Sequence, residues 1–228
     1  MKKLQKFFKE NFSSIFALVV MSGIVAWIAI QGPSQLNLPN PTVSPDIGLS
    51  PESRYSPIIK DWPFLGNVEA PVVFVEYGDY NCGYCGKFNQ DVLPKIKEKY
   101  IDTGMVKFVF KDFVIFGEES QLLAEAVHCA GEQGKFFEAH YFVFQNDLQG
   151  FSAEKLAEKF ATSLGVNARL VSECLKSGRY VDLISESTQE AASFGLTGTP
   201  MSIINGRLVE GAQSLSVFSE TIEAALED

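Results

Sequence analysis

Val72 to Tyr77 reads Val-Val-Phe-Val-Glu-Tyr, a β-branched and aromatic run bounded by Pro71 and Gly78, and that pattern predicts a strand. Beyond it Phe88, Val92, Ile96 and Tyr100 recur every four positions, the period of one buried helical face. Pro94 lies inside this run, where its missing N–H should kink the helix. Met105 to Phe110 predicts a second strand. A long helical stretch then covers roughly 118–195, with breaks near Gly131–Gly134, Gly150, Gly165 and Gly178. Pro200 to Ile204 predicts a third strand, Asn205-Gly206 a tight hairpin turn, and Arg207 to Val209 the returning strand. Ser214 to Leu226 closes the chain with an amphipathic helix. The order is β-α-β, a helical block, then β-β-α, and a right-handed crossover makes the first two strands parallel. This predicts an α/β sheet with helices on its faces and a helical insertion at about 115–195.

The N-terminus follows a different pattern. Lys2, Lys3, Lys6 and Lys9 face a single acid, Glu10, and Ile15 to Ile30 then runs without a charge. A helix over 13–30 measures roughly 27 Å at ~1.5 Å per residue, close to a hydrocarbon core of ~30 Å. Basic residues favour the cytoplasmic side. Residues 1–12 are therefore expected to be a cytoplasmic tail and 13–31 a transmembrane anchor. A cleaved signal peptide is the rival, but no A-x-A-like site follows the apolar run. Either reading exports the rest of the chain, to the periplasm or the cell exterior. Residues 32–60 hold six of the ten prolines and are expected to be an extended spacer. Net charge is −9, with no basic stretch after residue 12, so the footprint that nucleic acid requires is missing.

Four cysteines carry the chemistry: Cys82, Cys85, Cys129 and Cys174. Cys82-x-x-Cys85 sits where a strand ends and a helix begins, with Asn81 as the expected N-cap and Cys82 as the first helical residue. Unpaired N–H groups and the helix dipole then favour a Cys82 thiolate, the attacking species in disulfide exchange. Cys85, one turn in, is placed to resolve the mixed disulfide. Zinc would need four ligands, and no second C-x-x-C or close histidine pair exists. His128 and His140 fall in helical patterns and are expected on helix faces. No cofactor or metal is expected. Gly195 to Pro200 leads directly into the third strand, and a cis Thr199–Pro200 bond would free Thr199 backbone groups to pair with an extended substrate. Glu76 is open at this level, either a solvated strand carboxylate or a buried acid. Cys129 and Cys174 are open too, as buried thiols or a structural disulfide. An oxidising compartment favours the bridge, worth roughly 4 kcal/mol by chain entropy.

The stretches LGNVEAPVVFVEYGDYNCGYCGKF, HCAGEQGKFFEAH and GLTGTPMSIINGRLVEGA together resemble the DsbA-like family of thioredoxin-fold thiol–disulfide oxidoreductases, over about residues 60–228. The resemblance implies a thioredoxin fold with a helical insertion, a cis Pro200 and Cys82 as nucleophile. It also implies Glu76 as a buried acid beneath the disulfide that relays the Cys85 proton. Gly83 and Tyr84, with Thr199 and Pro200, would meet the substrate. Gly83-Tyr84 departs from the Pro-His of the strong oxidants. Cys-Gly-Tyr-Cys is similar instead to the DsbC-related isomerases, which dimerise through an N-terminal domain where this chain has its proline-rich spacer. Oxidase and isomerase both stay open, and a milder Cys82 thiolate than in the Pro-His members is expected. The implied partners are unfolded or misoxidised exported proteins and a membrane redox partner. A membrane-tethered chaperone or binding module, or a dedicated reductant for one partner, is the alternative. The topology is testable: a cysteine introduced near residue 45 should react with an impermeant thiol reagent on intact cells. Reaction only after lysis would place the domain in the cytoplasm.

Overall fold

The computed structural model describes residues 55–228. The expected tail at 1–12, the span at 13–31 and most of the spacer at 32–60 lie outside the described residues, among which no helix is long and apolar enough to cross a membrane. The strands are β1 Phe64–Leu65, β2 Val72–Gly78, β3 Val106–Asp112, β4 Met201–Ile204 and β5 Arg207–Glu210. Between β2 and β3 runs α1, which opens as Gly83–Lys87, widens to π-helical geometry over Phe88–Val92, tightens over Leu93–Ile96 and widens again over Lys97–Ile101. The first widening lies immediately ahead of Pro94, whose ring has no N–H to donate to the preceding turn. Helices α2 Glu118–Gly131, α3 Phe136–Gln145, α4 Ala153–Leu164, α5 Ala168–Ser177 and α6 Val181–Ser193 form the insertion, and α7 Leu215–Leu226 ends the chain. Gly165 and Gly178, with φ of 74° and 62°, stop α4 and α5 in the left-handed conformation that glycine adopts without penalty.

The sheet order is β1-β3-β2-β4-β5. β2 and β3 are parallel, in register from Val72 opposite Val106 to Gly78 opposite Asp112, as the crossover rule predicts. β4 lies antiparallel on the other side of β2, and β5 antiparallel on β4. Asn205-Gly206 turns the hairpin with φ of 42° and 81°, the positive pair that a two-residue turn needs. The Asn205 side chain also accepts the Val73 N–H at 2.8 Å, pinning the hairpin to β2. β1, absent from the sequence reading, is a two-residue antiparallel edge on β3, too short for periodicity to reveal.

Alternation along β2 divides two cores. Val72 and Phe74 pack with Phe88, Leu93 and Ile96 of α1, Phe218 of α7 and the insertion helices. Val75 and Tyr77 face Trp62, Phe113, Ala191 and Leu196. Burial on both faces explains why the strand reads as an almost continuous apolar run. Position 76 faces the same side as Phe74, toward α1 and the insertion. Ahead of β1, Ile58 donates to Glu190 at 2.7 Å and accepts from buried Lys111 at 2.8 Å, while Lys111 also pairs with Glu190. The insertion is bolted internally: Cys129 of α2 and Cys174 of α5 are joined, their Cα atoms 5.8 Å apart.

Candidate active site

β2 ends at Gly78, where a Cβ would lie 2.5 Å from the Phe110 ring and 3.5 Å from Cys85 Sγ. Only a residue without a side chain lets strand, ring and sulfur approach so closely. The buried Asp79 carboxylate then accepts three backbone N–H groups: Asn81 at 2.8 Å, Ile115 at 2.8 Å and Phe116 at 3.1 Å. Its carbonyl accepts the Cys82 N–H at 3.0 Å. This fixes the loop and corrects the expected cap. Asn81 is held by Asp79 and spends its side chain on Ser120 Oγ at 3.1 Å. The N-cap is Cys82 itself, with φ −81° and ψ 114°, and its sulfur accepts the Cys85 N–H at 3.4 Å. The helix therefore starts at Gly83, and the sulfur takes the place that a capping oxygen usually fills.

The two sulfurs sit in unequal surroundings. Cys82 retains 6% of its surface and Cys85 none. The Cys82 thiol is lowered from 9.0 to about 6: hydrogen bonding from the Cys85 thiol is the largest cause, burial opposes it, and Thr199 and the backbone N–H groups of Cys85 and Tyr84 assist. Burial drives the Cys85 thiol up, helped by its bond to Cys82 and by the Glu76 charge. Glu76 is fully buried, and burial raises its carboxyl well above 4.5; the Asn89 amide pulls it down, while Cys82 raises it further. Asn89 lies one turn after Cys85, so it shares that face of α1, and its Nδ2 donates to Glu76 Oε1 at 3.1 Å and to the Cys85 carbonyl at 3.1 Å. A proton is thus most easily lost from Cys82, while Cys85 and Glu76 hold theirs.

The Thr199–Pro200 bond is cis. The loop brings the Thr199 carbonyl within reach of the sulfur, and the protonated Cys82 Sγ–H donates to it at 3.3 Å. The Thr199 hydroxyl is buried with no other partner and is the Thr199 group that favours the Cys82 thiolate. Gly83 has open space around it, and Tyr84 is 70% exposed. A cleft of about 370 Å³ opens beside Cys82, lined by Tyr80, Cys82, Lys87, Gln90, Phe144 and Gln149. Cys129 and Cys174 belong to the insertion and take no part in this group.

A low-pKa sulfur capping a helix, a buried partner thiol one turn in, and a cis proline loop against the sulfur form a dithiol centre. The thioredoxin family model matches residues 60–224. Disulfide bond formation protein D of Bacillus subtilis is 27% identical over 176 residues, covering 75% of this chain and 79% of that one. The chain belongs to the thioredoxin family, as a DsbA-like thiol–disulfide oxidoreductase. Among solved structures, oxidised BdbD from Bacillus subtilis superimposes with a TM-score of 0.70 at 28% identity, covering 75% of this chain and 96% of that one. The α-DsbA1 of Wolbachia pipientis gives 0.66 at 25%, over 78% and 96%.

Sequence reasoning missed Asp79 and Asn89 in this DsbA-like centre, and placed His128 and His140 on helix faces. Both histidines are on helices but buried, His128 paired with Asp112 at 2.7 Å and His140 bonded to Asn89 at 2.7 Å. The spacing of four from Cys85 was the one available signal for Asn89. The site makes a direct prediction. Thiolate absorbance of the reduced protein should titrate with a midpoint near pH 6, persist in Cys85→Ser with a higher midpoint, and vanish in Cys82→Ser. A first midpoint near 9 would contradict the site as described.

Proposed function

We propose that this oxidoreductase donates disulfides to exported proteins from a membrane anchor, with Cys82 as the sulfur that exchanges and Cys85 as the one that resolves. The observation that carries the reading is the split between the thiols, one lowered to about 6 and the other buried and raised. Stabilising the reduced form in this way makes the disulfide form oxidising. A substrate thiolate attacks Cys82 Sγ, the Cys82–Cys85 bond breaks, and Cys85 leaves with a proton from Glu76. The substrate's second thiolate then attacks the substrate sulfur bonded to Cys82, the substrate disulfide forms, the bond to Cys82 breaks and Cys82 leaves as thiolate. The substrate dithiol is oxidised and the enzyme disulfide reduced; a membrane redox partner then restores the disulfide. The exported setting and the anchor rest on the lysine-flanked apolar run.

Isomerase action is the second reading, favoured by Gly83-Tyr84 between the cysteines and by a Cys82 that is lowered yet not extreme, since attack on wrong disulfides needs a nucleophilic thiolate. Equilibration with glutathione separates the two through the potential. The roles of the sulfurs are tested by trapping. Cys85→Ser should accumulate mixed disulfides with substrate proteins, and Cys82→Ser should accumulate none. Equal trapping by both variants would overturn the assignment, and substrate capture surviving in the Cys82→Ser/Cys85→Ser double variant would make the protein a binding module.

A further inference from the structure

Behind Asn89 the hydrogen-bond chain continues away from the sulfurs. His140 Nε2 lies 2.7 Å from Asn89 Oδ1, and His140 Nδ1 lies 3.1 Å from the Tyr80 hydroxyl. The Cys85 carbonyl can only accept, so the amide nitrogen faces it and Oδ1 faces His140, whose Nε2 then carries the hydrogen; burial holds His140 neutral, its pKa lowered to about 3, so Nδ1 is bare and the Tyr80 hydroxyl donates to it. This sets the amide. With Oδ1 bound to His140, both Nδ2 hydrogens point at oxygen: one is shared by Glu76 Oε1 and Oε2, at 3.1 and 3.4 Å, and the other goes to the Cys85 carbonyl at 3.1 Å. Flipped, the amide would set its own oxygen against all three. A flipped amide accepts from a protonated carboxyl but repels a carboxylate.

We propose that Asn89 is a positioning residue, locked by His140 and Tyr80 as a hydrogen-bond donor to Glu76, so that this buried carboxyl reaches the ionised form in which it takes the Cys85 proton. The inference rests on the reading of Glu76 as the proton relay. In resolution, the Glu76 carboxylate takes the proton from Cys85 Sγ, the Cys85 thiolate attacks Cys82 Sγ, the bond from Cys82 to the substrate sulfur breaks, and the substrate leaves as thiolate. In donation, the proton runs back from Glu76 to Cys85 as the enzyme disulfide opens. Asn89 touches no reacting sulfur and acts through the carboxylate. The titratable groups whose charges reach Glu76 or its partners are Cys82 and Cys85 of α1, Tyr80 before the helix with Asp112 beside it, and Tyr141 of α3; His140 is reached through Asn89. No lysine or arginine is among them; His128 reaches only Asp112, and among the described residues the side chain that donates to Glu76 is the Asn89 amide.

The test follows resolution of a Cys82–glutathione mixed disulfide by Cys85 against pH, in wild type, Glu76→Gln, Asn89→Leu, His140→Phe, His140→Gln and the Glu76→Gln/Asn89→Leu pair. Asn89→Leu should slow resolution at pH 7 by about ten- to a hundredfold, the worth of one hydrogen bond to a charged group, and move the profile to higher pH. His140→Phe, which frees the amide to flip, should do the same to a smaller extent, and His140→Gln, which keeps a donor, should restore the wild-type profile. The double variant should be no slower than Glu76→Gln alone, because both changes act on one proton. A Cys82 thiolate still formed at low pH in each variant shows that the active-site helix is intact. Unmoved profiles in Asn89→Leu and His140→Phe beside a slow Glu76→Gln would overturn the inference and leave the relay standing. An unaffected Glu76→Gln would overturn both.

Discussion

Where β2 runs into α1 the fold buries a carboxyl and a thiol together, Glu76 and Cys85, each with no exposed surface. An ionised group in such a place costs several kcal/mol unless it is bonded, so burial pushes both acids up. Of the three acids, Cys82 is the one that is lowered, its sulfur capping the helix and taking hydrogen bonds from Cys85. Much of the architecture around the site serves this arrangement. Parallel β2 and β3 put Glu76 on the helical side with Phe110 as its neighbour, and antiparallel β4 sets Ser202 opposite it. The loop entering β4 brings Thr199 against Cys82.

The polar groups around the pair gather into two bonded sets. Asp79 collects the N–H groups of two loops that are distant in sequence, and Asn89, His140 and Tyr80 carry hydrogen bonding from Glu76 to the insertion. A buried network of this kind rigidifies a site when its members are satisfied. The insertion thus does more than cover the sheet: α3 supplies His140 to the core, and its Phe144 lines the cleft beside Cys82. The Cys129–Cys174 bridge holds α2 to α5 on its far side.

Strands β2 to β5, the helices and the hairpin were legible because each follows from local chemistry: β-branched runs, a spacing of four, glycines at helix ends, Asn205-Gly206 at the turn. The Cys82–Cys85 pair was legible from its place between strand and helix. The cap was not, since Asn81 yields to Cys82 only because Asp79 binds Ile115 and Phe116, some 36 residues away. Glu76 could not be decided from the strand alone, because an isolated carboxylate in a two-sided run has no local signature of burial. His140 lies 51 positions from Asn89, and no periodicity joins residues at that distance.

Stability of the two redox forms tests the central claim most directly. Cys82 is depressed in the folded, reduced protein from 9.0 to about 6. Its contribution is therefore complete above pH 9, and it is lost as pH falls through about 6. Denaturant unfolding with the Cys129–Cys174 bridge intact should find the reduced form more stable than the oxidised form at pH 7.5, by an amount of order 1–2 kcal/mol, and the advantage should shrink toward pH 5. An oxidised form that is the more stable at pH 7.5, with a gap insensitive to pH between 5 and 8, would mean that the fold does not hold the Cys82 thiolate, and would contradict the account.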